Sequence, residues 1–285
     1  MSTREQVVPP WRPRLARAGL DTLSPLLDVA DAPAVPGTWE TLHKEGLRGR
    51  RRWRWTLPAG IGGDVLYVKR YADTPLSEQW DRARRQVLGH SRAAWEYAVC
   101  CRLAQAHINA PAPVGFIERM RGPLERRSAV LLERVPGDGL DRLWTRLCHE
   151  RAPITRGLAR HDLVVRLARF VAAFHETGFC HRDLYLCHIF ADIDPLAARP
   201  PTFALIDLAR VHKPRWRRMR WIIKDLAQLD ASARQVGARR SDRWRFLRAY
   251  LNLLPRAPRT RWYARRIVRK SNWISRRIAR KNQAP

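Results

Sequence analysis

The residues of this sequence that could do chemistry sit mostly in one run of eight, His181-Arg182-Asp183-Leu184-Tyr185-Leu186-Cys187-His188. A second carboxylate, Asp207, follows the apolar stretch Phe203-Ala204-Leu205-Ile206, and a lysine, Lys69, closes Val65-Leu66-Tyr67-Val68. A loop aspartate such as Asp183 can orient an attacking hydroxyl or take its proton. A carboxylate at a strand end can chelate Mg²⁺, and a strand lysine can neutralise phosphate oxygens. Together these are the parts of phosphoryl transfer, in which the protein positions and neutralises and does little covalent work.

His181 and Arg182 read as scaffold for the loop. His188, five residues after Asp183, stands where a second metal-holding residue belongs. Imidazole is a poorer Mg²⁺ ligand than an oxygen, so His188 either binds the cation, hydrogen-bonds Asp183 or a phosphate, or packs. Cys180-His181 and Cys187-His188 also invite a zinc reading. Sequential neighbours point apart, and the segment is needed for the loop, so zinc is set aside.

These groups need elements to hold them. The pattern predicts strands over 38–45, 50–57 and 65–69, with Trp53 and Trp55 alternating in the second. One long helix is expected from about Ser77 to His107, then a strand over 129–133. Past Gly137 the pattern is mostly helical. Leu163, Leu167, Phe170, Val171 and Phe174 share a face of a helix that Gly178 ends, and short strands at 189–190 and 203–206 flank a proline-rich turn. Glu96, with Cys100 and Leu103 on its helix face, is the expected partner of Lys69, and Glu78 at the helix start is the alternative. Gly46 and Gly49 in the turn 46–49 are assigned as phosphate cover. Glu133, ending its strand, sits where a hinge would offer backbone groups to adenine.

A β-rich first part leading into an α-rich second part predicts an α+β chain. Its expected divisions are an arm over 1–35, a small lobe over 36–134, a larger lobe over 135–255 and a basic tail over 256–285. Hydrophobic residues make up 45% of the chain, enough for a core, so general disorder is excluded. Five cysteines without Cys-x-x-Cys spacing fit a reducing compartment, and nothing reads as a signal peptide or a spanning helix. A cytoplasmic protein is expected, able to lie on a membrane without crossing it.

These residues resemble the lipopolysaccharide kinase (Kdo/WaaP) family. The similar stretches are Leu66–Arg70, His181–Phe190, Ile206–Arg210 and Trp221–Leu229, within roughly 39–250. The resemblance implies a protein-kinase-like two-lobed fold: an antiparallel small lobe with one long helix, and a helical large lobe. It makes Lys69 and Asp183 essential, gives metal binding to Asp207, and makes Asp225 the buried brace of the catalytic loop. ATP and Mg²⁺ are the implied cofactors, and the implied acceptor is a heptose or Kdo hydroxyl of lipid-linked core saccharide. His188 becomes a family marker rather than a defect. Leu208 and Ala209 stand where protein kinases carry Phe-Gly.

The formal net charge is +29, which calls for an anionic partner. No acidic residue follows Asp242, while Arg243–Lys281 holds fourteen basic ones. At helical spacing Tyr263, Ile267, Ile274 and Ile278 form one stripe, with Arg265, Arg266, Arg269, Arg276, Arg277 and Arg280 expected on the far side and Trp262 and Trp273 among them. Such a helix suits an anionic membrane surface, a dock on the large lobe, or both at once. No nucleic-acid motif accompanies the charge. The rival functions are a protein or small-molecule kinase of the same fold, and a pseudokinase or membrane-binding scaffold.

Overall fold

The computed structural model describes residues 1–28, 31–42, 49–85, 89–194, 199–252 and 258–283. It divides into two compact units. The first holds Met1–Gln105, Ala110–Val135 and Leu208–Arg210; the second holds Ala106–Asn109, Pro136–Asp207 and Val211–Pro285.

In the first unit six antiparallel strands lie in the order β1-β5-β6-β4-β3-β2. They are β1 (Ser2–Val7), β2 (Thr38–Thr41), β3 (Arg50–Thr56), β4 (Val65–Ala72), β5 (Pro113–Arg121) and β6 (Leu124–Glu133). Strand period assigns the faces. On β4, Leu66 and Val68 pack with Trp53, Trp55, Ala129 and Leu131 against Trp11, Leu15, Leu20, Leu23, Leu26 and Leu27. Alternate residues Lys69 and Tyr71 meet helix α4 (Arg92–Gln105) through Glu96 on the opposite face. The expected arm over 1–35 carries a strand, β1, paired with β5 from Ser2↔Met120 to Val7↔Gly115. Helices α1 (Arg12–Arg17) and α2 (Pro25–Asp28) follow it.

The single long helix expected over 77–107 is corrected to two, α3 (Leu76–Arg85) and α4. Gly89, at φ +90°, takes a conformation a side chain would strain. Ser91 then caps the second helix, its Oγ accepting the Ala94 N–H at 3.1 Å. Buried Glu118 accepts the Ser91 N–H at 2.7 Å, and Glu125 the Arg92 N–H at 3.2 Å. These long-range carboxylates satisfy the helix-end donors that an unbroken helix would not expose.

The second unit is mostly helical: α5 (Leu140–His149), α6 (Gly157–Glu176), α7 (Arg218–Gln235), α8 (Arg240–Leu251) and α9 (Pro258–Gln283). A small sheet pairs β7 (Asp138–Gly139), β8 (Ile189–Asp192) and β9 (Thr202–Leu205). Gly178 at φ +90° follows α6, and a Cβ there would lie 2.7 Å from Cε of Lys213. Helix α9 packs along α7 and α8 with Tyr263, Ile267 and Ile274 buried. Among the described residues no helix is long and apolar enough to cross a membrane.

Candidate active site

In the first unit the structure pairs Lys69 with Glu96 rather than Glu78: Nζ lies 2.6 Å from Oε1 of Glu96, which is wholly buried. Glu96 Oε1 also accepts the Leu208 N–H at 3.1 Å, and Oε2 the Tyr71 hydroxyl at 3.2 Å. Three donors therefore satisfy a carboxylate whose isolated burial would be costly. Glu78 is taken by Arg50 and Arg92. Tyr71 was missed in the sequence, although its place two residues after Lys69 on one strand signals a shared face.

Two nucleotide-cover assignments stand differently. Gly46 lies outside the described residues. Gly49 turns into β3 at φ +68°, and a Cβ there would come 2.0 Å from the Ala72 carbonyl oxygen, so the glycine serves close backbone approach. Glu133 Oε1 accepts from Trp11 Nε1 at 3.0 Å. The Glu133 N–H donates to Ala112 at 2.9 Å and the Arg134 N–H to Val65 at 3.1 Å. Neither N–H is therefore a spare donor for a base.

In the second unit the loop that carries Asp183 hangs from α7. Asp225, fully buried, accepts the His181 N–H on Oδ2 at 2.7 Å and the Arg182 N–H on Oδ1 at 2.8 Å. His175 Nε2 lies 3.4 Å from the same Oδ2, with its Nδ1 2.8 Å from the Tyr250 hydroxyl. Lys224 Nζ donates to the Arg182 carbonyl, and Ser232 Oγ accepts the Leu186 N–H at 3.1 Å. His181 Nε2 bonds the Ile206 carbonyl at 3.0 Å, tying the loop to the segment that ends in Asp207. His175 and Lys224 had no sequence signal of their own beyond their places on helices that flank the loop.

Arg182 and Asp207 are both non-glycine residues at positive φ, +72° and +58°. Such backbone is sparsely populated and persists where the surroundings over-determine it, as they do here. Asp183, half-buried, follows Arg182 directly.

His188 Nδ1 donates to the Asp183 carbonyl at 2.7 Å. That bond leaves Nε2 as the other ring nitrogen, 3.9 Å from Oδ2 of Asp207. A ring nitrogen anchored on a backbone carbonyl is the usual support of a ligating imidazole. Asp207 supplies the hard oxygen that Mg²⁺ prefers, and one carboxylate plus substrate phosphates is an ordinary Mg²⁺ environment. The donor set therefore fits the metal, with Asp207 leading and His188 beside it. Burial, followed by the charge of His188, lowers the pKa of His181. Burial acts to lower that of His188 too, but hydrogen bonding and charge from Cys187, the Asp183 carbonyl and Asp207 outweigh it and raise the pKa. His175, Cys180 and Asp225 also cluster. Asp225 is committed to the loop, and burial pushes the Cys180 thiol up to about 12, a poor state for a metal ligand.

The chain is a phosphotransferase of protein-kinase-like fold. The model of the lipopolysaccharide kinase (Kdo/WaaP) family matches residues 48–250, and the chain belongs to that family. It is similar to the lipopolysaccharide core heptose(I) kinase WaaP of Pseudomonas aeruginosa, 31% identical over 221 residues, covering 76% of this chain and 79% of that one. Its similarity to the Escherichia coli K12 protein of the same name is 29% over 209 residues, covering 70% and 75%. A solved structure, WaaP in complex with acyl carrier protein, matches at a TM-score of 0.63 and 24% identity, covering 94% of this chain and 99% of that one. That last likeness bears on the fold alone.

Proposed function

We propose that the protein transfers the γ-phosphoryl group of ATP to a sugar hydroxyl of the lipopolysaccharide inner core at the cytoplasmic face of the membrane. Heptose is favoured over Kdo as the acceptor sugar, since heptose(I) is named for relatives that match most of the chain. The observation that carries the reading is Asp183 on a loop whose preceding two N–H groups are both held by buried Asp225. Residues 36–134 and 135–255 are read as the two lobes, with 256–285 as a basic tail facing anionic lipid.

In this reading Asp183 accepts the acceptor hydroxyl proton as the sugar oxygen bonds to the γ-phosphorus and the bond to the bridging β-oxygen breaks, releasing ADP. Lys69, oriented by Glu96, neutralises the α- and β-phosphates. Asp207, with His188 beside it, would hold Mg²⁺, which supplies charge neutralisation to the phosphate oxygens when bound. Acyl carrier protein, named with the solved relative, is a second partner to test for by co-purification.

Incubation with labelled ATP and purified lipopolysaccharide core should put label in the glycolipid, and Asp183→Ala should abolish it. Equal label in that variant, or label only in protein, would overturn the reading. The pseudokinase alternative draws on the imidazole at position 188. Mg²⁺-dependent nucleotide binding that Asp207→Ala removes would speak against it.

A further inference from the structure

After β9 and Asp207 the chain runs Lys213-Pro214-Arg215-Trp216-Arg217-Arg218-Met219-Arg220 into the first turn of α7, with no acidic residue in the run. Arg215 to Arg220 are all exposed, and Trp216 is 83% exposed. Arg218 is spent on the His175 carbonyl; its basic neighbours Arg215 and Arg217 point to solvent beside a bare indole. A tryptophan this exposed gains nothing from folding, since its apolar area stays in water.

Helix α9 repeats the chemistry. Its apolar stripe is used up against α7 and α8, and beside that stripe runs a flank of tryptophans and cations. Arg266 lies over the Trp262 ring at 4.3 Å, while Lys270 at 3.7 Å and Arg277 at 5.6 Å cover Trp273. Trp262 is 42% exposed and Trp273 50%. Helix α9 packs along α7, and burial, then the charges of Arg220 and Arg277, lowers the pKa of the Lys270 ammonium that covers Trp273. The two segments belong to one unit.

We infer that the run Arg215–Arg220 and the Trp262–Arg277 flank of α9 form a single docking surface for an anionic lipid bilayer. The choice of a bilayer rests on the glycolipid reading above and on charge complementarity. Half-exposed indoles with cations on their faces suit the headgroup layer, where aromatic rings and basic side chains share the boundary between hydrocarbon and water. Because the apolar stripe of α9 is already covered, the helix lies along the surface and does not bury its apolar face in lipid.

The surface is tied to the catalytic loop through Trp221. Arg182, Arg220 and Lys224 each stand 5.8 Å from its ring, and Lys224 also donates to the Arg182 carbonyl. Docking through Arg215–Arg220 therefore fixes the depth of Asp183, one residue beyond Arg182, relative to the headgroups. That is the positioning a sugar attached to a membrane anchor requires.

The test is co-sedimentation of the full chain with phosphatidylglycerol or phosphatidylcholine vesicles, with neither nucleotide nor acceptor present. Wild type should bind the anionic vesicles and not the zwitterionic ones, with binding weakened by salt. Arg266→Gln with Arg277→Gln should weaken it about thirtyfold, two basic contacts at the strength usual for anionic surfaces. Trp216→Ala should weaken it as well, and Trp80→Ala in the first unit should not. The paired arginine variant serves on its own if Trp216→Ala fails to fold by circular dichroism. Unchanged binding in the arginine pair, equal binding to phosphatidylcholine, or a preference for duplex DNA over anionic vesicles would overturn the inference. Asp183→Ala should bind vesicles as wild type does, so failure of docking and failure of phosphoryl transfer are read separately.

Discussion

Replacing Asp225 tests whether the catalytic loop is held from below, and its cost can be worked from contacts already described. Both carboxylate oxygens are buried and accept backbone N–H groups, from His181 at 2.7 Å and Arg182 at 2.8 Å. Asp225→Ala orphans both donors. At about 1–3 kcal/mol for each unsatisfied buried group, the loss is about 2–6 kcal/mol. Asp225→Asn keeps one acceptor, loses one charge-assisted bond and turns an amide N–H toward a backbone N–H. A loss of about 2–4 kcal/mol follows. Catalysis should suffer further. Arg182 is held at φ +72° by that bond, and once released the backbone relaxes toward an ordinary conformation and carries Asp183 with it. A shift of about 1 Å in a reacting group is worth about a hundredfold in rate. Urea denaturation gives the first quantity, and turnover on lipopolysaccharide core by the folded fraction gives the second. If Asp225→Asn kept stability within about 0.5 kcal/mol and kcat within about twofold, the brace would be refuted.

Three further perturbations probe other parts. Lys69→Met leaves Glu96, among the described residues, with Tyr71 and Leu208 as donors, and should destabilise by about 1–3 kcal/mol while raising the KM for ATP by tenfold or more; nucleotide titration and thermal melts report both. Ser91→Ala removes the cap that restarts α4 and should cost about 1 kcal/mol in denaturant unfolding without altering catalytic-loop chemistry. Burial alone would raise the Asp242 pKa, but Arg160 and the Arg239 N–H outweigh it and hold it below the ordinary carboxylate value. A depressed folded value means that this stability is present above the ordinary carboxylate pKa and is lost as pH falls through the folded value. Asp242→Asn should therefore lower stability at neutral pH and flatten the acid limb below about pH 4; an unchanged acid limb would show the pair does not contribute.

Much of the site was legible because its residues are tied by short spacing. Asp183 and His188 share one loop, and Asp207 lies two residues past the apolar strand β9, so local pattern singled them out. Lys69 and Glu96 were matched by one strand face and one helix face. What the sequence hid depends on distant partners. Helix periodicity runs on past Gly89, and only Glu118 and Glu125, from strands formed later in the chain, make the break at Ser91 worthwhile. The pairing of Ser2–Val7 with β5 is also non-local, with no periodic signal to announce it. Arg215–Arg220 passed unnoticed because an exposed basic run looks like a solvated turn until Trp221 is seen between it and the catalytic loop.

The assignment of Leu208–Arg210 to the first unit has a consequence for biosynthesis. The sheet can close once β6 leaves the ribosome, since β1 has waited for β5 and every strand is then present. Glu96 must wait longer for Leu208, whose N–H is one of its three donors. Until some 75 more residues have been translated (208 minus 133), the nascent first unit carries a buried carboxylate short of a partner. Its last step of folding therefore waits until residues 136–207 have been translated, and a stall in translation between β6 and Leu208 would strand the nascent chain with the Lys69–Glu96 pair incompletely supported.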